Sequence, residues 1–378
     1  MEDVAEGTAG RTTEVEWRGR TTKAWVPQEL RRRDLALPAT VVRSAERAVA
    51  ALRLADQRLP ASWEALARLL LRHEGIASSG IEGLREPASS VLVAERTGSG
   101  GAAGWIADNL AVIDMALLSA KQPLNVEVLH SWHARLMRYS GLAAEMVGAF
   151  RPSLGWVGGT SPLDAAYVPP PPDEINRLMD DLLRFADASD DLDAVSRAAI
   201  AHAQFEAIHP YGDGNGRLGR VLVSRILRRA DATQRSVAPI SMAAARDPGG
   251  YLSGLRLFET GQTARWVQWF AQIVERAAGH TDSIVEQSQQ LIEQWTEATS
   301  TLRHDSAARA LLQCLPGHPV INSADVAELL GVSERTGRTA LESLAERGVL
   351  QPIQADTGHV GRARRWYAAA DLLRLWGT

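Results

Sequence analysis

Apolar residues recur every three or four positions along most of this chain, which predicts a mainly helical body. The pattern predicts helices over 40–57, 61–76, 103–121, 124–139, 173–187, 193–208, 217–229 and 263–298. Two short alternating stretches, Trp156-Val157 and Ala166-Tyr167-Val168, predict a small β-hairpin around Gly158 to Ala165. Residues 1–38 are polar, charged and glycine-containing. They predict a disordered first dozen, followed by an extended strip marked by Trp17, Trp25 and Pro27. Beyond about residue 304 the pattern restarts. Helices are expected at 305–315, 323–330 and 333–347, and wing strands at Val349–Gln351 and Arg364–Tyr367 about a Gly358/Gly361 turn. The division expected is therefore 1–38, an all-α body over 39–300 with one short hairpin, and a small module over 305–378.

One stretch breaks the periodic background: His209-Pro210-Tyr211-Gly212-Asp213-Gly214-Asn215-Gly216-Arg217-Leu218-Gly219-Arg220. Three glycines within five residues let the backbone take positive φ and approach a ligand closely. An amphipathic helix follows directly, so the free amides of its first turn face an incoming group. Amides and helix dipole together favour an anion. Arg217 and Arg220, three apart, share a helix face and can fork onto phosphate oxygens. Asp213 is suited to a divalent cation such as Mg2+, and His209 to proton abstraction near neutral pH. Base, metal carboxylate, amide nest and two arginines make a phosphoryl or nucleotidyl transfer site. A P-loop would need Gly-Lys-Ser/Thr where Gly216-Arg217-Leu218 stands. An EF-hand would begin at Tyr211, which cannot ligate, and would need Glu at Leu222.

The twelve residues resemble the signature of the Fic (Fic/DOC) family, His-Pro-Phe-x-Asp/Glu-Gly-Asn-Gly-Arg-x-x-Arg, with Tyr211 in place of Phe. The resemblance implies an all-α Fic fold with a short β-hairpin flap and transfer of AMP from ATP onto a protein hydroxyl. It implies that His209 deprotonates the hydroxyl and that Asp213 holds Mg2+ (or Mn2+) on the α- and β-phosphates. Gly212, Gly214, Asn215 and Gly216 then cradle phosphate, and Arg217 and Arg220 take the outer phosphates. Some members carry an inhibitory helix marked Ser/Thr-x-x-x-Glu-Gly/Asn; Ser78, Glu82 and Gly83 match it at the end of a helix near 68–83. A carboxylate on Arg220 would occupy the partner that the γ-phosphate of ATP needs. The flap residues Gly158, Gly159, Thr160, Ser161 and Leu163 are expected to dock a target by main-chain pairing. Removal of AMP, transfer of another nucleotide, and a DNA-binding regulator built on a Fic core are the competing readings.

Composition narrows the partners. The formal charge of −4 argues against global attraction to nucleic acid or membrane. The single cysteine, Cys314, excludes an intramolecular disulfide and suits a reducing cytoplasm. No run of about 18 apolar residues is expected to span a bilayer. Ala327 to Ser333 has a helix-turn-helix pattern, and the C-terminal module resembles a winged helix. Its eight arginines face eight carboxylates, a balance that disfavours a nucleic-acid reader and favours protein contacts. His130 and His133 lack a third ligand nearby, so they read as packing residues. Tyr251 reads as a core aromatic, and the resemblance implies that its region borders the adenine pocket. The partners expected are ATP and a hydroxyl-bearing target protein, the chain itself included, and a homodimer is compatible with the sequence.

Overall fold

The computed structural model describes residues 9–60, 63–354 and 365–375. It begins with an antiparallel hairpin, β1 (Gly10–Trp17) and β2 (Arg20–Pro27). Arg18 and Gly19 both take positive φ between them, as a two-residue turn of primed type requires. The strip expected around Trp17 and Trp25 is therefore a paired ribbon, and the disorder expected of the first dozen residues does not extend to those from Gly10 on. Residues 1–8 lie outside the described residues. The ribbon binds the body: Trp25 N–H donates to the Val168 carbonyl at 2.8 Å, and Thr22 Oγ1 to the Pro162 carbonyl at 3.1 Å.

The helical body follows as α1 (Ala39–Gln57), α2 (Trp63–Ile81), α3 (Ala88–Thr97), α4 (Gly101–Leu118), α5 (Val126–Leu136), α6 (Pro172–Asp187), α7 (Ala194–Ile208), α8 (Asn215–Arg229), α9 (Ile240–Ala245), α10 (Pro248–Glu259) and the 36-residue α11 (Thr263–Ala298). The α3 and α9 helices were not legible in the periodicity. A mainly helical chain with small sheets is the fold class that the pattern predicted. The hairpin expected at 156–168 is reduced to one antiparallel bridge, Val157 with Tyr167, at the neck of an exposed loop.

At the centre lies α7. Every residue of it is buried except Glu206, which is half-buried but has its carboxyl oxygen Oε1 shielded from solvent, and its alanines let α8 pack closely alongside. The Asp193 carboxylate caps it by accepting from the Val195 and Ser196 amides at 3.0 and 2.9 Å. Contrary to the sequence expectation, α4 is long and apolar enough to cross a membrane by length and composition. Half of it is buried, however, against α2, α3, α5 and α8, and its sequestered Asp108 pairs with Arg135 and Arg138 at 3.0 and 2.6 Å. That is the surrounding of a core helix.

The C-terminal elements run α12 (Ala307–Cys314), β3 (Val320–Asn322), α13 (Ser323–Leu330), α14 (Glu334–Glu346), β4 (Gln351–Ile353), β5 (Trp366–Ala368) and α15 (Ala370–Arg374). Their sheet is antiparallel in the order β3-β5-β4. The expected turn at Gly358/Gly361, with Arg362 and Arg364, lies outside the described residues.

Candidate active site

At the junction of α7 and α8 the chain leaves one buried helix and enters another within six residues. His209 sits at the end of α7 with φ +49°, a left-handed conformation normally left to glycine. It is held there from outside. Arg151 Nε donates to the His209 carbonyl at 2.9 Å, and the Arg151 amide to the Pro210 carbonyl at 2.9 Å. Burial, then the neighbouring Arg151 charge, pulls the His209 imidazole down to about 4. The ring is thus neutral at physiological pH and able to accept a proton.

Tyr211 is fully buried, as an anchor should be. Its ring stacks on His133 at 3.9 Å, and its hydroxyl bonds His130 Nδ1 at 3.0 Å. The partner supplied by His130 explains why tyrosine is tolerated where the signature has phenylalanine. His133 accepts from the Gly148 amide at 2.9 Å and reaches the Asp213 carbonyl at 3.1 Å. Both histidines therefore shape the loop and leave no metal pair.

Gly214, φ +76°, is the residue before α8, and a Cβ there would lie 2.8 Å from Met137 Sδ. The Asn215 side chain accepts from the Tyr211 amide and donates to the Tyr211 carbonyl, both at 2.9 Å. It locks the loop from within, and the Asn215 amide stands at the start of α8.

Over that nest lies Glu82. Its carboxylate bridges Arg217 Nε at 2.7 Å and Arg220 Nη2 at 2.8 Å. A Cβ at Gly216 would lie only 2.3 Å from Glu82 Oε1, so glycine is what lets a carboxylate approach here. Ser78 completes the clasp: its Oγ and its carbonyl accept from Arg220 Nε and Nη2, both at 2.8 Å. Glu82 is aimed by the way α2 stops. Gly83, φ +82°, donates to the Gly80 carbonyl and Leu84 to the Ser79 carbonyl, both at 3.1 Å, which is the Schellman pattern. Helix stop and salt bridge are one device. Burial lowers the Arg220 pKa, but the charges of Glu82, Tyr251 and Glu206 more than offset this and raise it.

A cavity of about 640 Å³ opens beside these groups. Glu82, His209, Asp213, Gly214, Asn215, Gly216, Arg217 and Arg220 line it, along with Trp105, Val157, Gly158, Tyr167, Glu206, Tyr251 and Glu259. The volume lies in the usual range for a small-molecule site. Asp213 is exposed at its mouth and, among the described residues, belongs to no cluster of three or more metal-ligating side chains. Mg2+ takes one or two carboxylates and completes its shell with phosphate oxygens and water, so this donor set fits it.

Of the flap residues, Gly158 reaches the cavity wall, whereas Thr160, Ser161 and Leu163 do not. Thr160 and Ser161 instead close on Asp164 through both their amides and hydroxyls. Gly159, φ +70°, belongs to the same exposed loop. The sequence reading passed over Glu206, Trp105 and Arg151. Burial pushes the Glu206 carboxyl up to about 7 despite the nearby Arg220, and among the described residues its Oε1 has no hydrogen-bond partner. The signal for Glu206 was available: the one carboxylate in an alanine-rich helix, three residues before the histidine.

Comparison with known proteins agrees with this geometry. Residues 123–227 match the Fic/DOC family. A protein of Aquifex aeolicus named "probable protein adenylyltransferase" is 34% identical over 97 residues, covering 26% of this chain and 28% of the relative. The protein adenylyltransferase Fic of Drosophila willistoni is 31% identical over 164 residues, covering 41% and 30%. The chain thus spans less than a third of the length of these curated relatives. A crystal structure of a Fic family protein from Desulfovibrio desulfuricans superposes with a TM-score of 0.54 at 20% identity, over 89% of this chain and 98% of that one, and so shares its fold. The signature loop and the helices that flank it thus lie in a stretch, residues 123–227, that matches the Fic/DOC family, within a fold shared with a Fic family protein.

Proposed function

We propose that this chain is a protein adenylyltransferase that moves AMP from ATP to a Ser, Thr or Tyr hydroxyl of a target protein, and that Glu82 holds it inactive. The observation that carries the reading is the placement of a neutral His209 and an amide-and-arginine cradle on one cavity, with a carboxylate of the same chain seated in the cradle. ATP would lay its outer phosphates where Glu82 now sits, on Arg217, Arg220 and the Gly214–Gly216 amides. His209 Nε2 or Nδ1 would take the proton of the target hydroxyl as its oxygen bonds to the α-phosphorus. The bond to the bridging oxygen breaks, and pyrophosphate leaves with that electron pair. Asp213 would hold Mg2+ or Mn2+, which neutralises phosphate charge when bound. The loop at Gly158–Leu163 would present the target chain beside His209.

Charge-assisted bonds like those of Glu82 contribute about 1.5–3 kcal/mol each. Freeing the arginines is therefore expected to raise the rate by about one to two powers of ten. The test is incubation of wild type, Glu82→Gly and His209→Ala with α-labelled ATP, Mg2+ and lysate. Label should rise in the first variant and vanish in the second, while ATP affinity of His209→Ala stays near wild type. Substantial labelling by His209→Ala would remove it as the base. Loss of an AMP-removing activity in Glu82→Gly, with no gain of transfer, would instead make Glu82 a water-orienting residue.

A further inference from the structure

The helix that carries Glu82 does not stand alone. Ten residues upstream, about 15 Å along α2 at 1.5 Å per residue, Arg72 is buried at the base of the C-terminal module. Its Nη1 donates to the Gly317 carbonyl at 2.8 Å, and its Nε pairs with Glu95 of α3 at 3.0 Å. Gly317 rests directly on α2: a Cβ there would lie 3.3 Å from the Ala65 Cα. Fourteen residues downstream of Glu82, Arg96 of α3 pairs with Asp325 of α13 at 2.7 Å and with Glu328 of the same helix. Asp325 is itself fixed, since its other oxygen accepts from the Asn322 amide at 3.1 Å in the cap of α13.

We propose that the C-terminal module is a clamp that keeps Glu82 on Arg217 and Arg220 by gripping α2 and α3 on both sides of it. The segment from Glu82 to Pro87 is the short link between two helices, and each is tied to the same rigid body. Besides a rotation of its own side chain, Glu82 leaves the arginines when the end of α2 shifts or unwinds. A shift needs Ala65 and Arg72 to slide on Gly317, and an unwinding that lets α3 swing needs Arg96 to leave α13. Contacts made or broken at the module thereby set the occupancy of the phosphate cradle some helical turns away, through one continuous helix. The inference rests on the inhibitory reading of Glu82 and adds what enforces it.

The test uses the full chain and breaks the clamp by two unrelated routes. Asp325→Arg with Glu328→Arg reverses the charges facing Arg96; Glu328 is open to solvent, whereas Asp325 is half-buried and also holds the Asn322 amide in the cap of α13. Gly317→Leu drives a wedge between the module and α2. Hydrogen exchange over residues 78–87 and self-labelling from α-labelled ATP are read together. Both variants are expected to speed exchange there about tenfold and to raise labelling about three- to tenfold. Neither should add to the gain of Glu82→Gly. Adding Arg96→Glu to the reversed pair should restore slow exchange and low labelling, an outcome that general destabilisation would not give. Unchanged exchange at 78–87 in both variants, or no rescue by the restored pair, overturns the clamp. If Glu82→Gly itself brings no gain, the inhibitory reading fails, and exchange alone decides whether the module holds the helix.

Discussion

His209 and Glu206 are three residues apart on the last turn of α7, and burial drives both toward their neutral forms. For His209 this makes a base that stays unprotonated well below neutral pH. For Glu206 the consequence is a stability term of opposite sign. Its folded pKa, about 7, lies above its unfolded value near 4.5, so the fold favours the protonated carboxyl. That contribution is complete below pH 4.5 and is lost as pH rises through 7. Glu206→Gln lacks the titration, so its melting temperature relative to wild type should climb between about pH 5 and pH 8. A difference independent of pH would show that the carboxyl does not titrate in that window. Tyr211→Phe is the complementary case. It removes the bond to His130 and should cost about 0.5–1.5 kcal/mol in denaturant unfolding, with AMP transfer left near wild type.

The elements divide by how local their causes are. The loop between α7 and α8 was legible because its chemistry is written in adjacent residues: glycines that permit the turn, amides at a helix start, arginines one turn on. The end of α2 was equally legible, since Ser78, Glu82 and Gly83 both stop the helix and aim its last carboxylate. What failed were elements defined by distant partners. The ribbon from Gly10 to Pro27 is rich in Glu, Arg and Thr and owes its pairing to the shelf offered by Val168 and Pro162. The α3 helix centres on Val91-Leu92-Val93, a run with no helical stripe, and is held by α2 and α4. The closure of the Asn215 side chain on Tyr211 was likewise not legible, because nothing local signals it.

Two substitutions test the cradle as an element. Gly216→Ala places a methyl where an oxygen must come, so it should weaken ATP binding at least tenfold, about 1.4 kcal/mol, and still give no activation, although it also displaces Glu82. Binding at wild-type strength would mean that anions approach from elsewhere. Asp213→Ala should abolish the Mg2+ response of transfer, and a variant that still answers to Mg2+ would place the metal at another group.

At the scale of the molecule, the proposed clamp would make the C-terminal elements part of the resting state. This agrees with a module whose charges balance and whose acidic helix α13 faces inward onto Arg96. The 36-residue helix α11 has a consequence of another kind. It buries Trp266, Val267 and Phe270 among α7, α9 and α10, then continues unbroken to a buried Trp295 and meets α12 and α15. The helical body and the C-terminal module therefore share one rod about 54 Å long, and neither can melt without stripping apolar surface from the other. Scanning calorimetry should give a single endotherm whose van't Hoff and calorimetric enthalpies agree. Two resolved peaks would mean that the rod breaks before it transmits.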